Sequence, residues 1–448
     1  MIKSIKIEEL YNRFNYKISF RKGLNIISGP NGFGKTTILR IVKDVLEDDL
    51  FDLTKIPFKS IEMEDDKGVK LSFSNTNDGF YFNGEKMFVP IEIDKSSPDN
   101  FRLFYKDSYL TNGSPVERLL IDKEYVSVQC DDETTMSFID PLIKGDMKLK
   151  GDKSPAYLMH LACFCKNVGN AYFLGSDRLF DTDLSQIIKK PLALRRDIQT
   201  ESDFEKINQL SPKLIRLFAT YTNSYTRVSN RNDSAFLLKL ANNIREQETN
   251  EYTKNAYFAD VKTIQDNLEQ LYRFGLVNEI ESRKIPKDAF SSEYALVFKV
   301  FAENFKNKLK IFDVLLKKLE LYLEVINNKF LYKQMKISYD NGIEIIDDKG
   351  SKIDLTKLSS GEKELIIMYF NLIFNTVETN GKDYRVFLVD EPEISLHIEW
   401  QSQVLNDLEK ILEVSLDKNE QFIICTHSPQ IIGNRWENII ELAELSVK

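Results

Sequence analysis

Cysteine is scarce in this chain: Cys130, Cys163, Cys165 and Cys425 are the only four in 448 residues, and no two have CxxC spacing. That disfavours a disulfide framework and a spaced zinc site, and buried thiols are the expectation. No apolar run approaches the roughly 18 residues that a membrane-spanning helix needs. The N-terminus passes directly into an alternating pattern (Ile2, Ile5, Ile7) without a signal-peptide core, so the expected location is the cytoplasm, with no membrane partner. Basic residues are in deficit, 61 Lys and Arg against 69 Asp and Glu, for a net charge of −8. A chain that coats itself in nucleic acid is thereby disfavoured, while a local basic groove fits within an acidic total, so direct nucleic-acid contact stays open. Histidine is rarer still, three in all, and His397 and His427 both sit beside motifs described below. What the chain does have is 42% apolar residues, enough for substantial cores over roughly two to three domains.

Gly29 to Thr37 reads GPNGFGKTT, after the apolar run Leu24–Ile27 and before a helix-periodic series (Ile38, Leu39, Ile41, Val42, Val45, Leu46). Glycines at 29, 32 and 34 let the backbone turn tightly, so that its N–H groups and the helix N-terminus face an anion. Lys35 then reaches the β and γ phosphates and Thr36 ligates Mg²⁺. Strand–loop–helix context with a complete GxxxxGKT makes a phosphate-binding loop with Mg²⁺ the expectation.

Before that loop, Ile2, Ile5 and Ile7, then Tyr16, Ile18 and Phe20, alternate as paired strands around the turn Asn12–Asn15. Residues 60–74 and 79–93 are β-rich, with turns at 65–68 and 83–86, and form a β-lobe; Tyr125–Cys130 is a further strand candidate. Residues 157–168 are helix-like, and Ala171–Leu174 is a short strand ending in Gly175, Ser176, Asp177 and Arg178, where open α/β sheets place ligand contacts. From 181 to about 330 the sequence is charged and helical. Its clearest piece is 292–330, for which Val261, Ile264, Leu268 and Leu271 supply an antiparallel partner; a short arm and a compact lobe both fit. The expected division is therefore 1–180, 181–330 and 331–448.

After strands at 335–339 and 342–346, Leu358-Ser359-Ser360-Gly361-Glu362 opens an apolar helix, a turn whose free N–H groups again suit phosphate, though alone it is an ordinary helix cap. Val386–Val389 is a buried strand ending in Asp390 and Glu391. With a phosphate loop elsewhere in the chain, Asp390 is expected to hold Mg²⁺ with Thr36, and Glu391 to polarise the attacking water. A last strand, Phe422–Cys425, ends in Thr426, His427 and Ser428, which puts His427 in position for the γ-phosphate.

In order and spacing the set resembles the ABC-type ATPase heads of the SMC and recombination-repair class. GPNGFGKT is similar to Walker A, LSSGE to the signature, VFLVDE to Walker B, EISLH to the D-loop and ICTHS to the switch-histidine strand. The resemblance implies an α/β fold: a β-lobe plus a RecA-like parallel sheet, split by a mainly helical insertion. It implies nucleotide contacts from Asn31, Gly32, Gly34, Lys35, Thr36 and Thr37, and from Ser359, Gly361 and Glu362 acting on a neighbouring subunit's ATP, hence a head-to-head dimer or higher oligomer. Arg13 stands where such heads often carry a nucleotide-contacting basic residue, though a plain surface turn reads as well. Asp177 stands where the related strand has Gln, and is the third metal candidate beside Thr36 and Asp390.

Size, the lack of a CxxC hook and the lack of a TOPRIM-type carboxylate set beyond the head narrow the resemblance to the ATPase subunits of anti-phage defence systems. The AriA type of PARIS comes first and the PtuA type of Septu second. The partners implied are a separate TOPRIM effector nuclease (AriB-like) and a phage-encoded trigger. The expected function is an ATP-hydrolysing scaffold without nuclease activity of its own; the one isolated DxD, Asp181 and Asp183, reads as a loop. The alternatives are a DNA-repair ATPase that clamps nucleic acid directly and, disfavoured by the helical insertion, a transporter ATPase. The lysines at 306, 308, 310, 317 and 318 alternate with Glu303, Glu320 and Glu324, which reads as a solvated helix face rather than a basic track.

Overall fold

The computed structural model describes residues 1–47, 50–76, 79–87, 90–97, 100–105, 118–121, 124–127, 156–175, 203–245, 252–277, 290–374, 384–394, 396–414, 420–433, 435 and 439–445. Ser176, Asp177, Arg178, Asp181 and Asp183, all named above, lie outside them. Two compact units are formed, one from 1–202, 375–412 and 417–448, the other from 203–374 and 413–416. Among the described residues no helix is long and apolar enough to cross a membrane.

The first unit joins two large sheets, beside the strand pairs Pro90–Ser97 with Asn100–Tyr105 and Arg118–Ile121 with Glu124–Ser127. Alternation makes the antiparallel one: Ile5 and Ile7 pair with Ile18 and Tyr16 across the strands Ile2–Leu10 and Phe14–Ser19, and all four side chains point into the core. Ser60–Asp65, Lys70–Thr76, Gly79–Phe82 and Glu85–Met87 extend this sheet, as the alternation and turns anticipated. Continuous apolar runs make the other sheet, because a parallel sheet is covered on both faces. Its order is Asn170–Leu174, Tyr384–Asp390, Gln421–Thr426, Gly23–Ser28 and Ile439–Glu441, with every neighbouring pair parallel.

Helix Lys35–Leu46 is amphipathic, and its buried face, Ile38, Leu39, Ile41, Val42, Val45 and Leu46, shares one core with both sheets. At the far end of that core the fully buried Gln421 amide accepts from Ile2 N (3.1 Å) and donates to the carbonyls of Ile2 and Arg21 (3.0 Å each). A backbone that would otherwise end unpaired is thus satisfied, and the two sheets are tied together. Pairing of Asp390 with Cys425 and of Thr426 with Ser28 brings three strand ends level, which sets the carboxylates, the switch strand and the phosphate loop at one edge.

The second unit is mainly helical: Asp203–Arg245, Lys254–Arg273, Ala295–Leu309, Asp313–Asn327 and Ser360–Phe374, with the small sheet Lys333–Ser338, Gly342–Asp347 and Lys352–Ile353. Two expectations are corrected here. The helical stretch of 292–330 is broken by a 3-10 turn at Lys310–Phe312. The antiparallel partner of Ala295–Leu309 is Asp203–Arg245: Lys308 pairs with Asp233 (2.6 Å) while the earlier Asn304 meets the later Lys239 (2.7 Å). Helix Lys254–Arg273 does bury Val261, Ile264, Leu268 and Leu271. Its contacts advance in the same sense as those of Ala295–Leu309, however, from Tyr257 on Phe298 to Asp260 on Lys306. Apolar spacing marks which face of a helix is buried and carries no sign for its direction.

Candidate functional site

The phosphate loop runs from a buried strand end to a helix that no side chain caps. Its N-cap, Gly34, is left-handed (φ 80°), which favours glycine, and a Cβ there would crowd Leu10 Cδ2 at 3.0 Å. The first-turn amides have no intrahelical acceptors and carry the positive end of the helix dipole. Lys35 is buried, and its ammonium donates to the carbonyls of Gly29 (2.8 Å) and Pro30 (3.3 Å), which keep the charge over the loop. Asn31 and Gly32 form the exposed outer turn of the loop.

The strand turn before the loop holds it from the side. Tyr11 and Asn12 both adopt φ 56°, a turn that two non-glycine residues hold at some strain. The Tyr11 hydroxyl lies 2.8 Å from Thr37 Oγ1, Tyr16 donates to Phe33 O (2.7 Å), and Phe14 packs on Phe33 with ring centres 5.2 Å apart. Burial pushes the Tyr16 phenol up to about 12, so it stays a donor. Arg13, the nucleotide contact the resemblance implies in this turn, lies over the Phe14 ring at 5.1 Å. Tyr11 is the residue that sequence reasoning passed over; its neighbours drew attention to the turn without showing which side chain faces the loop.

Across the strand edge, Thr36 Oγ1 donates to Asp390 Oδ2 at 2.8 Å, joining residues 354 positions apart. Asp390 is buried, and its other oxygen, Oδ1, has no protein partner. Burial raises its pKa; the Thr36 hydrogen bond opposes that shift and the Glu391 charge adds to it. A buried carboxylate oxygen left over beside a threonine hydroxyl fits a hard cation, and Mg²⁺ takes few protein ligands because phosphate oxygens and water complete its octahedron.

Glu391 follows at φ 45°, a left-handed conformation unusual for a glutamate, with its N–H still bonded to Cys425 O at 2.8 Å. Its Oε1 is 3.3 Å from His427 Nδ1. Glu393, the first residue of the D-loop-like EISLH, accepts from Thr426 Oγ1 (2.7 Å), His427 N (3.0 Å) and Ser428 N (3.1 Å). The resemblance that marks this stretch gives the carboxylate itself no role. His397, by contrast, is exposed and precedes the short helix Ile398–Gln401. Lys35, Thr36, Asp390, Glu391 and His427 are therefore gathered on one edge of the first unit.

Ser359, Gly361 and Glu362 belong to the second unit. There Ser359 and Glu362 form a capping box: the Ser359 N–H and hydroxyl both donate to Glu362 Oε2 at 3.0 Å, and Lys333 donates to Glu362 Oε1 at 2.7 Å. Burial would raise the pKa of Glu362, yet those three hydrogen bonds and the Lys333 charge hold it below the ordinary value.

The sequence profile of the AAA_15 family, described as an AAA ATPase domain, matches residues 1–432. The Retron Vc95 probable ATPase of Vibrio cholerae serotype O1 biovar El Tor is 33% identical over 106 residues, 22% of this chain and 20% of that protein. The Retron Ec83 probable ATPase of Escherichia coli is 32% identical over 93 residues, 19% of this chain and 16% of that protein. The DNA double-strand break repair Rad50 ATPase of Methanopyrus kandleri is 48% identical over 42 residues, 9% of this chain and 5% of that protein. The chain thus matches about a fifth or less of the length of these relatives. Among solved structures, the Smc head domain with an extended coiled coil bound to the C-terminal domain of ScpA, from Pyrococcus furiosus, is similar at a TM-score of 0.37 and 15% identity, over 98% of this chain and 92% of that one. The SMC head domain from Thermotoga maritima is similar at 0.35 and 11%, over 98% and 94%.

Proposed function

The chain belongs to the AAA_15 family of AAA ATPase domains, and from that premise we propose that it hydrolyses ATP as the scaffold of an anti-phage defence complex that holds a separate effector nuclease. The observation that carries the ATPase part is the Thr36–Asp390 hydrogen bond, which places a hydroxyl and a buried carboxylate with a spare oxygen at the mouth of the phosphate loop. Lys35 and the uncapped first turn bind the β and γ phosphates, with Asn31, Gly32, Gly34 and Thr37 shaping the loop around them. Thr36 and Asp390 would hold Mg²⁺, which supplies charge neutralisation on the transferring phosphoryl group. Glu391 orients and deprotonates the attacking water, and His427, within 3.3 Å of it, faces the γ-phosphate. The test is ATP turnover by the purified chain, with Lys35→Ala as the control that abolishes it.

The site is completed, in this reading, by Ser359 and Gly361 of a second copy, so that the working form is at least a head-to-head dimer. Mixing Lys35→Ala with Ser359→Arg protein should restore turnover that neither has alone; no recovery would assign the serine to its own chain.

The defence role follows the two relatives named as retron ATPases, which match over longer stretches than the Rad50 relative. An AriA-like subunit that sequesters a TOPRIM nuclease and frees it on binding a phage protein is the finer form of this proposal, and it places the chain in the cytoplasm. Release requires the trigger to bind the two nucleotide states with different affinity. The Rad50 match supports a second reading, a repair ATPase that grips DNA itself. Co-purification with the untagged product of the neighbouring gene supports the scaffold. ATP-dependent retention of DNA by the chain alone supports the clamp.

A further inference from the structure

The least expected group at the strand edge is Glu393. It is a buried carboxylate in the turn after the Asp390–Glu391 pair, and one of its oxygens, Oε1, gathers the whole end of the neighbouring strand. The Thr426 hydroxyl and the amides of His427 and Ser428 donate to it, and His427 Nδ1 lies 3.3 Å away. The same Nδ1 is 3.3 Å from Glu391 Oε1, so the imidazole edge is set between two carboxylates. Further bonds stiffen the link. Gln401 Nε2 donates to Leu396 O (3.1 Å), while Gln401 Oε1 accepts from the Ser428 hydroxyl (3.0 Å).

A backbone anchor alone would not need a charge here. Taking an ionised carboxylate out of water is costly unless that charge is used, and Glu393 Oε2 is buried with no protein partner. Amide and hydroxyl donors can be satisfied by a neutral acceptor, whereas an imidazole edge facing the carboxylates is where a negative charge acts. Carboxylate oxygens on that side favour the proton on Nδ1 and leave Nε2 as the nitrogen available to substrate. The His427 amide donates to the same oxygen that its Nδ1 approaches at 3.3 Å, so backbone and ring edge both meet Glu393.

We propose that Glu393 is a positioning residue for ATP hydrolysis: through its Oε1 it orients the His427 imidazole beside Glu391 and locks the turn after the carboxylate strand to the switch strand. The inference rests on the site reading above, in which Glu391 and His427 serve the reaction. Glu393→Gln is the discriminating variant, because an amide oxygen in place of Oε1 keeps the three donors while the NH₂ takes the place of the unpartnered Oε2. Charge is lost and shape is kept.

The experiment measures kcat, KM for ATP and thermal unfolding for Glu393→Gln, His427→Ala and the double variant, with Glu391→Gln alongside. The expected result is a kcat roughly 10- to 100-fold lower in Glu393→Gln, the size of a misplaced catalytic group, with KM and Tm near wild type. Placed on His427→Ala, the same change should cost nothing more, because its effect passes through that ring. Wild-type kcat in Glu393→Gln while Glu391→Gln and His427→Ala are inactive would overturn the positioning role alone. Losses that multiply in the double variant would overturn it too. Full turnover in Glu391→Gln and His427→Ala would instead remove the site reading on which it stands.

Discussion

Two helix N-termini in this molecule were read from the sequence as phosphate-facing, and their local chemistry is opposite. Helix Lys35–Leu46 starts at a left-handed glycine with no side-chain cap. Helix Ser360–Phe374 starts behind a capping box, with the Ser359 hydroxyl committed to Glu362 and Glu362 committed to Lys333. The first is open to an anion as it stands. The second already holds a carboxylate of its own, and a γ-phosphate reaching it must compete with that charge. If both termini serve phosphate as proposed, the uncapped one is ready in the isolated chain and the self-capped one needs a second event to free it.

The sharpest break in the comparison is at the open terminus. Glu391→Gln is expected to lower turnover by roughly 10² to 10⁴, the usual size of a general-base contribution, while ATP still binds and holds the heads together. Single-turnover hydrolysis with parallel measurement of ATP affinity checks both halves; undiminished hydrolysis would take Glu391 out of the mechanism. Next in size, Lys35→Ala removes the cation proposed to meet the β and γ phosphates, and calorimetry should show ATP affinity falling by roughly 10-fold or more, as for the loss of a charge-assisted contact. Unchanged affinity would mean that the open terminus does not bind phosphate.

A third variant separates stability from function at the same edge. Asp390 is buried with Oδ1 unpartnered and a raised pKa, so its ionised form weighs against folding in the nucleotide-free protein. Asp390→Asn should raise Tm by a small amount, roughly 0.5–2 kcal/mol of stability as at other relieved functional sites, and should abolish Mg²⁺-dependent turnover. A lower Tm with turnover intact would make Asp390 a structural residue.

The open terminus was legible in the sequence because its requirements are local: GxxxxGKT must turn, approach an anion and start a helix within nine residues. The parallel strands were legible for a similar reason, since a strand covered on both faces must be apolar throughout, as Val386–Val389 and Phe422–Cys425 are. What escaped notice was set by tertiary placement. Tyr11 matters because the strand turn folds over Thr37, and Glu393 because pairing of Asp390 with Cys425 brings the next turn against Thr426. In the strand turn Arg13, the residue the resemblance points to, lies over the Phe14 ring, while the neighbouring tyrosine meets Thr37 of the loop. In the helical unit the apolar faces were found but the pairing was not, because periodicity is indifferent to direction.

The smallest effect tests the capped terminus. Burial alone would raise the pKa of Glu362; hydrogen bonds from Lys333 and Ser359 reverse this and hold it below the ordinary glutamate value of 4.5. A carboxylate with a depressed folded pKa adds stability that is fully present above its unfolded value and is lost as pH falls through the folded one. Lys333→Met removes the largest of the favourable contributions, so the folded pKa of Glu362 should rise and acid unfolding should begin at higher pH than in the wild type. At neutral pH the capping box persists, and the cost in Tm should be no more than that of a cap, about 1 kcal/mol. The same variant bears on the contrast between the two termini. With Lys333 gone, Glu362 is less firmly held and Ser359 is freer to turn toward phosphate, so ATP-dependent dimerisation should be no weaker than wild type. Sedimentation of the Lys333→Met protein with ATP checks this, and a clear loss of dimer would show that Lys333 itself meets the nucleotide.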